Sequence, residues 1–340
     1  MSPRRIDYFD RARGLGLLAV IVGHIIPVYG SNLQYVNDLL YSFHLPLFFI
    51  ISGYFFKYEY SIREFLHKKF VNYVIPYISC SLVIIVYWTV TRVLDHGVTG
   101  LGNYITVMAR GFVVQRRFTV LWFLASLVVA ELLLYMLFQF NNSLKFVAAI
   151  SVVLSVLFLV YSEKGLPILP WNIETSCIIL PFLVFGYALR KLRFFEMQKI
   201  ANTSLIILLL IAGSLILFYN SLFGGDGLEL YARHYSFFPL TFTAAIVLSL
   251  FMIMVMMNVK SRALSWLGKN TIVFFAFHQS IALDIVNRLI NPIAFPNSSI
   301  TMQTLAVAVS LITVLFICFV MSQAINYLHL NRYFGKRALT

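Results

Sequence analysis

Charge is scarce in this 340-residue chain: only 11% of its residues are Asp, Glu, Lys or Arg, where a soluble globular domain carries about a quarter. That scarcity excludes a string of soluble domains, whatever the length alone suggests. Cysteine is scarcer still. Cys80, Cys177 and Cys318 all fall inside apolar stretches, and their odd number without a CxxC spacing gives neither a disulfide framework nor a zinc site. They read as small apolar side chains, and no metal is expected. No A-x-A-like cleavage site follows the first apolar run, which is therefore expected to stay as a membrane helix. No internal repeat and no low-complexity linker is visible, so residues 1–340 read as one membrane-embedded domain. Nor is there a compact basic patch with interleaved aromatics. The net charge of +13 is spread between apolar segments, which argues against nucleic acid and for a bilayer.

What the chain has instead is apolar sequence. It is 60% hydrophobic, with a mean hydropathy of +0.85. A span needs about 20 apolar residues, and ten candidates are present: 14–30, 37–56, 70–93, 119–140, 144–162, 170–190, 201–221, 237–258, 267–290 and 300–328. The first is short, and tilt or local thinning can absorb the mismatch. Asn141, Asn142 and Ser143 read as a tight turn between antiparallel helices. With the N-terminus placed in the cytoplasm, 19 of the 26 Lys and Arg residues fall inside and 7 outside. That asymmetry predicts an all-α integral membrane protein of ten transmembrane helices with both termini cytoplasmic, in the inner (plasma) membrane. The longest link, about 94–118, lies outside. Its YITVMARGFVV part is apolar enough for an interfacial or re-entrant segment, and so long a link without structure is uncommon unless functional.

The first two spans carry the most telling residues. Arg13 stands at the mouth of the first, and His24 and His44 sit within the first and second. An ionisable side chain in an apolar span is costly and marks a functional site by default. Arg13 and His24 are eleven residues apart, close to three helical turns, so they share a face about 16 Å apart along the axis. Gly16, Val20 and Gly23 lie near the same stripe, where small residues admit a partner helix or a ligand chain. Pro27 should disturb the helix just beyond His24. The hairpin puts His24 and His44 at similar depth in the outer half of the membrane. An anion anchor on one side is thus joined to a proton-transfer group reachable from the other.

The pattern D-x-x-R-G at Asp10, Arg13 and Gly14, the ten residues between Arg13 and His24, and the run FHLPLFFIISGYFF resemble the acyltransferase-3 family. LWFLASLVVAE at 121–131 and LGKNTIVFFAFHQS at 267–280 look similar to it too. WNIE followed by ILPFLVFGYALRK, within 171–191, resembles the fucose 4-O-acetylase-like branch. The resemblance implies ten helices and O-acylation of a sugar or lipid-linked glycan of the cell envelope. It implies an acyl-CoA donor, acetyl-CoA by the family, reaching the site from the cytoplasm. His24 is then the catalytic histidine, with His44 as a second catalytic or orienting group, and Arg13 with Asp10 belongs to the donor site. A guanidinium at the rim can hold CoA phosphates by forked hydrogen bonds, the pantetheine arm running along the glycine stripe. Imidazole suits a general base near neutral pH.

Further candidates on the acceptor side are His278 in the ninth span, Glu131 in the fourth, Glu174 near the outer end of the sixth, and Arg116 and Arg117 in the long link. Either glutamate could orient a histidine. The arginines break the positive-inside trend and suit an anionic acceptor or a lipid phosphate, or else a solvated loop. Asp284 with His278 suits interhelical hydrogen bonding. Trp122, Trp171 and Tyr231 suit interface anchoring as well as sugar stacking. The competing class is a secondary transporter or flippase of a lipid-linked sugar, which ten helices with intramembrane charges also fit. Against it stand the absence of paired broken helices in corresponding halves and the concentration of Arg13, His24 and His44 in one hairpin. A scaffold without chemistry leaves the histidines unexplained.

Overall fold

A computed structural model describes residues 6–29, 31–197, 202–222, 228–231, 233, 235, 238–290 and 299–335. The fold is all-helical, with ten helices long and apolar enough to cross a membrane. The first hairpin is α1 (Asp7–Tyr29) and α2 (Gln34–Phe55). Then α3 (Ile62–Lys69) runs through a π-helical turn, Phe70–Val74, into α4 (Ile75–His96), and α5 (Leu101–Val114) follows. Next come α6 (Trp122–Phe140), α7 (Leu144–Glu163), α8 (Ile173–Lys191), α9 (Thr203–Leu222) and α10 (Phe238–Asn258). The chain ends with α11 (Arg262–Lys269), α12 (Thr271–Phe277), a second π-helical turn over His278–Leu283, α13 (Asp284–Ile290) and α14 (Ile300–Tyr327).

The first span is not short. α1 starts at Asp7 and has 23 residues, because Asp7 and Asp10 occupy its first turn, where carboxylates favour the positive end of a helix. Pro27 does not break it either: the helix continues to Tyr29, the proline falling in the last turn where little ladder remains to be lost. The third span is one continuous 35-residue helical stretch, Ile62–His96. The long link is not structureless, since α5 fills most of it. Tyr77 of α4 stacks on Phe112 at 5.6 Å and donates its hydroxyl to the Phe112 carbonyl at 2.6 Å, pinning the end of α5. The turn between α6 and α7 is as tight as expected, and Ser143 Oγ caps α7 by accepting from Phe146 N–H.

α1, α2, α6, α8 and α12–α13 are the inner helices, more than half buried; α7, α9 and α14 expose most of their apolar residues and suit lipid. The inner helices approach closely at glycines. A methyl on Gly53 of α2 would run into the Leu183 carbonyl of α8, and one on Gly186 of α8 into the Ile50 carbonyl of α2. Gly14 of α1 and Gly268 of α11 meet the Leu264 and Asp10 carbonyls in the same way. With apolar lipid on all sides, such close backbone contact is what holds membrane helices together.

Candidate active site

Three helices each bring one histidine to a single place. The His24 ring on α1 lies 5.2 Å from the His278 ring, and 6.4 Å from that of Tyr41 on α2. Tyr41 in turn lies 4.8 Å from His44. The hairpin spacing pairs His24 with His44 in sequence; nothing local places His278 beside them. His278 opens the second π-helical turn, a widening of the ladder that recurs at functional sites. Its Nδ1 lies 2.8 Å from the Phe275 carbonyl and 3.2 Å from that of Phe274. Carbonyls only accept, so Nδ1 carries the proton and Nε2 is the acceptor nitrogen. That Nε2 is buried without a hydrogen-bond partner among the described residues. His44 is tied in the same tautomer, Nδ1 donating to the Leu40 carbonyl at 2.7 Å. His24 is partly exposed, and among the described residues no hydrogen bond holds its ring. The cluster is thus one imidazole not tied by a hydrogen bond among the described residues beside two locked ones.

Toward the start of α1 the site becomes charged. Arg13 Nη1 meets Asp10 Oδ1 at 3.3 Å, and its guanidinium covers the Phe55 ring at 5.3 Å. Asp10 is buried and Arg13 partly exposed. The glycine stripe between Arg13 and His24 faces α2: a methyl on Gly16 would press on Leu47 and Phe48, and one on Gly23 on Tyr41. The stripe therefore seats a partner helix and is not an open channel for a ligand chain. Glu131 does not orient a histidine. Its Oε2 takes Lys69 Nζ at 2.5 Å and its Oε1 accepts from Ser52 Oγ at 2.7 Å, joining α6, α3 and α2. Lys69, read from sequence only as an orientation signal, is the missed member of this group. Asp284 serves Tyr87 Oη at 2.7 Å and Arg288 Nε at 3.0 Å, not His278.

A small apolar cavity of about 40 Å³ lies between Phe48, Leu124, Ile272 and Phe275, and the Phe275 ring is 5.8 Å from that of His278. A larger surface hollow of about 540 Å³, around Tyr58, Ser61 and Gln139, touches none of the histidines.

At the start of α6 and α8 the remaining candidates meet. Arg116 is exposed and Arg117 turns inward. Arg117 N–H donates to Asn172 Oδ1 at 3.1 Å, and Glu174 Oε2 accepts from Leu169 N–H at 3.1 Å. Glu174 therefore faces loop backbone and Arg117's surroundings and, like Glu131, holds no histidine. Trp122 packs on Tyr231 at 6.0 Å and Trp171 on Tyr77 at 5.5 Å. Among the described residues, no group of three or more His, Cys, Asp and Glu is arranged to hold a metal ion.

Ten apolar helices enclosing a polar, histidine-lined centre define a multi-pass membrane protein with a chemical site in its interior. The chain matches the family model of the acyltransferase domain over residues 6–323, and it belongs to the acyltransferase-3 family. It is a membrane acyltransferase. No curated protein and no solved structure matches the chain.

Proposed function

We propose that the protein is an O-acyltransferase of the inner (plasma) membrane that moves an acetyl group from cytoplasmic acetyl-CoA to a hydroxyl of a cell-envelope sugar or lipid-linked glycan. The observation that carries this is the His24 ring set 5.2 Å from His278, on the helix that begins with the Asp10–Arg13 pair. Arg13 binds CoA phosphate and Asp10 fixes its guanidinium. His24 takes the proton of the acceptor hydroxyl. The hydroxyl oxygen attacks the thioester carbonyl, the C–S bond breaks, and the proton passes to the departing thiolate, so the exchange is balanced. His278 and His44, each locked with Nε2 as an acceptor, orient the attacking hydroxyl. An acyl group of acetyl size is supported by the small cavity beside Phe275, since a water-sized group occupies about 10–15 Å³ on this measure.

The test is His24→Gln at equal membrane abundance, read as acetyl groups delivered from acetyl-CoA to envelope glycan by mass spectrometry. General-base assistance is worth about 10²–10⁴-fold, and glutamine can hydrogen-bond but cannot take the proton. A loss of that order is expected. Activity within about tenfold of wild type, well short of that effect, would remove His24 from the base role. Acyl transfer by purified protein also separates this reading from transport.

A further inference from the structure

Three link segments converge on the N-terminal ends of α6 and α8: residues 115–121, 166–172, and the described part of 228–235. Arg117 Nη2 donates to the Leu230 carbonyl at 3.2 Å, and its guanidinium covers the Tyr231 ring at 5.5 Å. Arg233 Nη1 donates to the Leu166 carbonyl at 2.6 Å.

Two independent features mark this spot. The first is backbone strain. Of the eight non-glycine residues with positive φ among those described, six are here: Gln115, Arg117, Thr119, Trp171, Asn172 and Arg233. Such conformations persist only where the surroundings enforce them, and they gather at ligand clamps. The second is a set of buried polar atoms with no hydrogen-bond partner among the described residues: Arg117 Nε, Asn172 Nδ2, Glu174 Oε1, Thr175 Oγ1, and Arg233 Nε and Nη2. Asn172, Glu174 and Thr175 are themselves 0% exposed. Buried polar groups are almost always paired, so this many in one nest calls for an occupant.

The unmet groups describe that occupant. Arg117, Arg233 and Asn172 offer donors, Glu174 offers a carboxylate oxygen, and Thr175 offers a hydroxyl. Among the described residues with unmet groups here, two guanidinium groups accompany one carboxylate, so these groups carry surplus positive charge. Burial also pushes the Arg117 guanidinium below its ordinary pKa, a cost that an anion would relieve. Trp122 and Tyr231 supply aromatic faces alongside. A chain of packed rings connects the nest's edge to the histidines: Trp122 to Phe123 at 6.4 Å, Phe123 to Phe275 at 5.1 Å, and Phe275 to His278 at 5.8 Å.

We infer that this nest is a binding site for an acidic saccharide, whose carboxylate or phosphate pairs with Arg117 and Arg233 while its ring hydroxyls pair with Glu174, Asn172 and Thr175. The inference rests on the acyltransferase reading of the histidine cluster and names the class of acceptor that would serve it.

The experiment is equilibrium binding to the full-length protein in lipid nanodiscs, with glucuronate, glucose 1-phosphate and glucose as probes. At least one acidic probe should bind about tenfold or more tighter than glucose, the scale of a charge-assisted pair. Preference for glucuronate assigns a carboxylate and preference for glucose 1-phosphate a phosphate. Arg117→Lys keeps charge but loses the fork, and should erase most of that preference. Glu174→Gln removes the negative charge that opposes an anion, and should widen the preference for the acidic probes over glucose. Arg110→Gln, at an exposed arginine of α5, should change nothing. Equal affinity for the three probes, or no binding of any, overturns the inference, and this wild-type comparison decides even if a variant fails to fold. Acetyl-CoA binding is measured on the same preparation. Donor binding without acidic-sugar preference sinks the nest alone; acidic-sugar preference without acetyl transfer sinks the acyltransferase mechanism and leaves the nest standing.

Discussion

Lys69 and Glu131 form a buried ion pair, their side chains 16% and 2% exposed, with Ser52 completing the carboxylate's hydrogen bonding. The Lys69 ammonium also lies 5.0 Å from the Phe65 ring and 5.2 Å from that of Tyr73. Removing one partner of a buried pair strands the other charge, which costs about 3–5 kcal/mol, while replacing both by apolar groups of similar size is often neutral. Lys69→Ala should therefore lower the thermal unfolding midpoint of the protein in detergent strongly. Lys69→Met with Glu131→Leu should recover most of it. A double variant as unstable as the single one would show that the pair does more than neutralise itself. This pair also shows where sequence stops. His24 and His44 are legible because each is an ionisable group within an apolar run, and the link between the runs sets their relative depth. Glu131 is legible as costly, but its partner lies 62 positions away in chain order. Lys69 hides among the basic residues of a link, indistinguishable there from an orientation signal. His278 is legible as polar and mid-span, whereas its place beside His24 depends on how α12 packs against α1.

At the scale of elements, ten spans are legible because apolar length is a local property, and the described residues hold ten helices long and apolar enough to cross a membrane. Boundaries are less so. Hydropathy misses the start of α1, where polar capping residues continue a helix that apolar counting begins later. It shows α5 as weakly apolar without fixing its bounds. The widened turn at His278–Leu283 has no sequence signature at all, yet it interrupts the regular ladder where His278 turns to its carbonyls. The packing of α2, α6 and α12 leaves the apolar cavity of about 40 Å³ whose walls include Phe48, Leu124 and Phe275. If that cavity receives the methyl end of the acyl group, its size sets chain length. Leu124→Ala removes three heavy atoms from one wall without touching a histidine. The expected outcome is a shift in donor preference from acetyl-CoA toward butyryl-CoA, measured as the ratio of kcat/KM values. A missing methylene in an apolar pocket is worth about 1–3 kcal/mol, so two methylenes give room for a change of tenfold or more. An unchanged ratio, in a variant that still transfers acetyl, would place the acyl group elsewhere.

The charges of the links should orient the whole molecule. With ten candidate spans among the described residues, the start of α1 and the end of α14 are expected on one side, and contacts across the bundle agree on which links share it. The Asp10 carbonyl of α1 backs onto Gly268 of α11. Gln139 at the end of α6 donates to the Tyr58 carbonyl at 2.9 Å, and Arg190 at the end of α8 lies 3.9 Å from Glu59. The sequence assigns 19 of the 26 basic residues to the links of that side; Arg4, Arg5, Lys199, Lys336 and Arg337 among them lie outside the described residues. Basic links near span ends are retained in the cytoplasm, so this side should be cytoplasmic, with the Asp10–Arg13 pair toward it and the Arg117–Glu174 nest toward the other. Two labels check the orientation together. A reporter fused after Thr340 should be active only if its chemistry works in the cytoplasm. A cysteine at Val98, which is 71% exposed in the link between α4 and α5, should react with a membrane-impermeant maleimide in intact cells, while the native Cys80, Cys177 and Cys318, all buried, stay silent. Labelling only after lysis, with the fused reporter active outside, would invert the molecule. The donor arginine would then face away from cytoplasmic acetyl-CoA, and the proposed direction of transfer would fall with the topology.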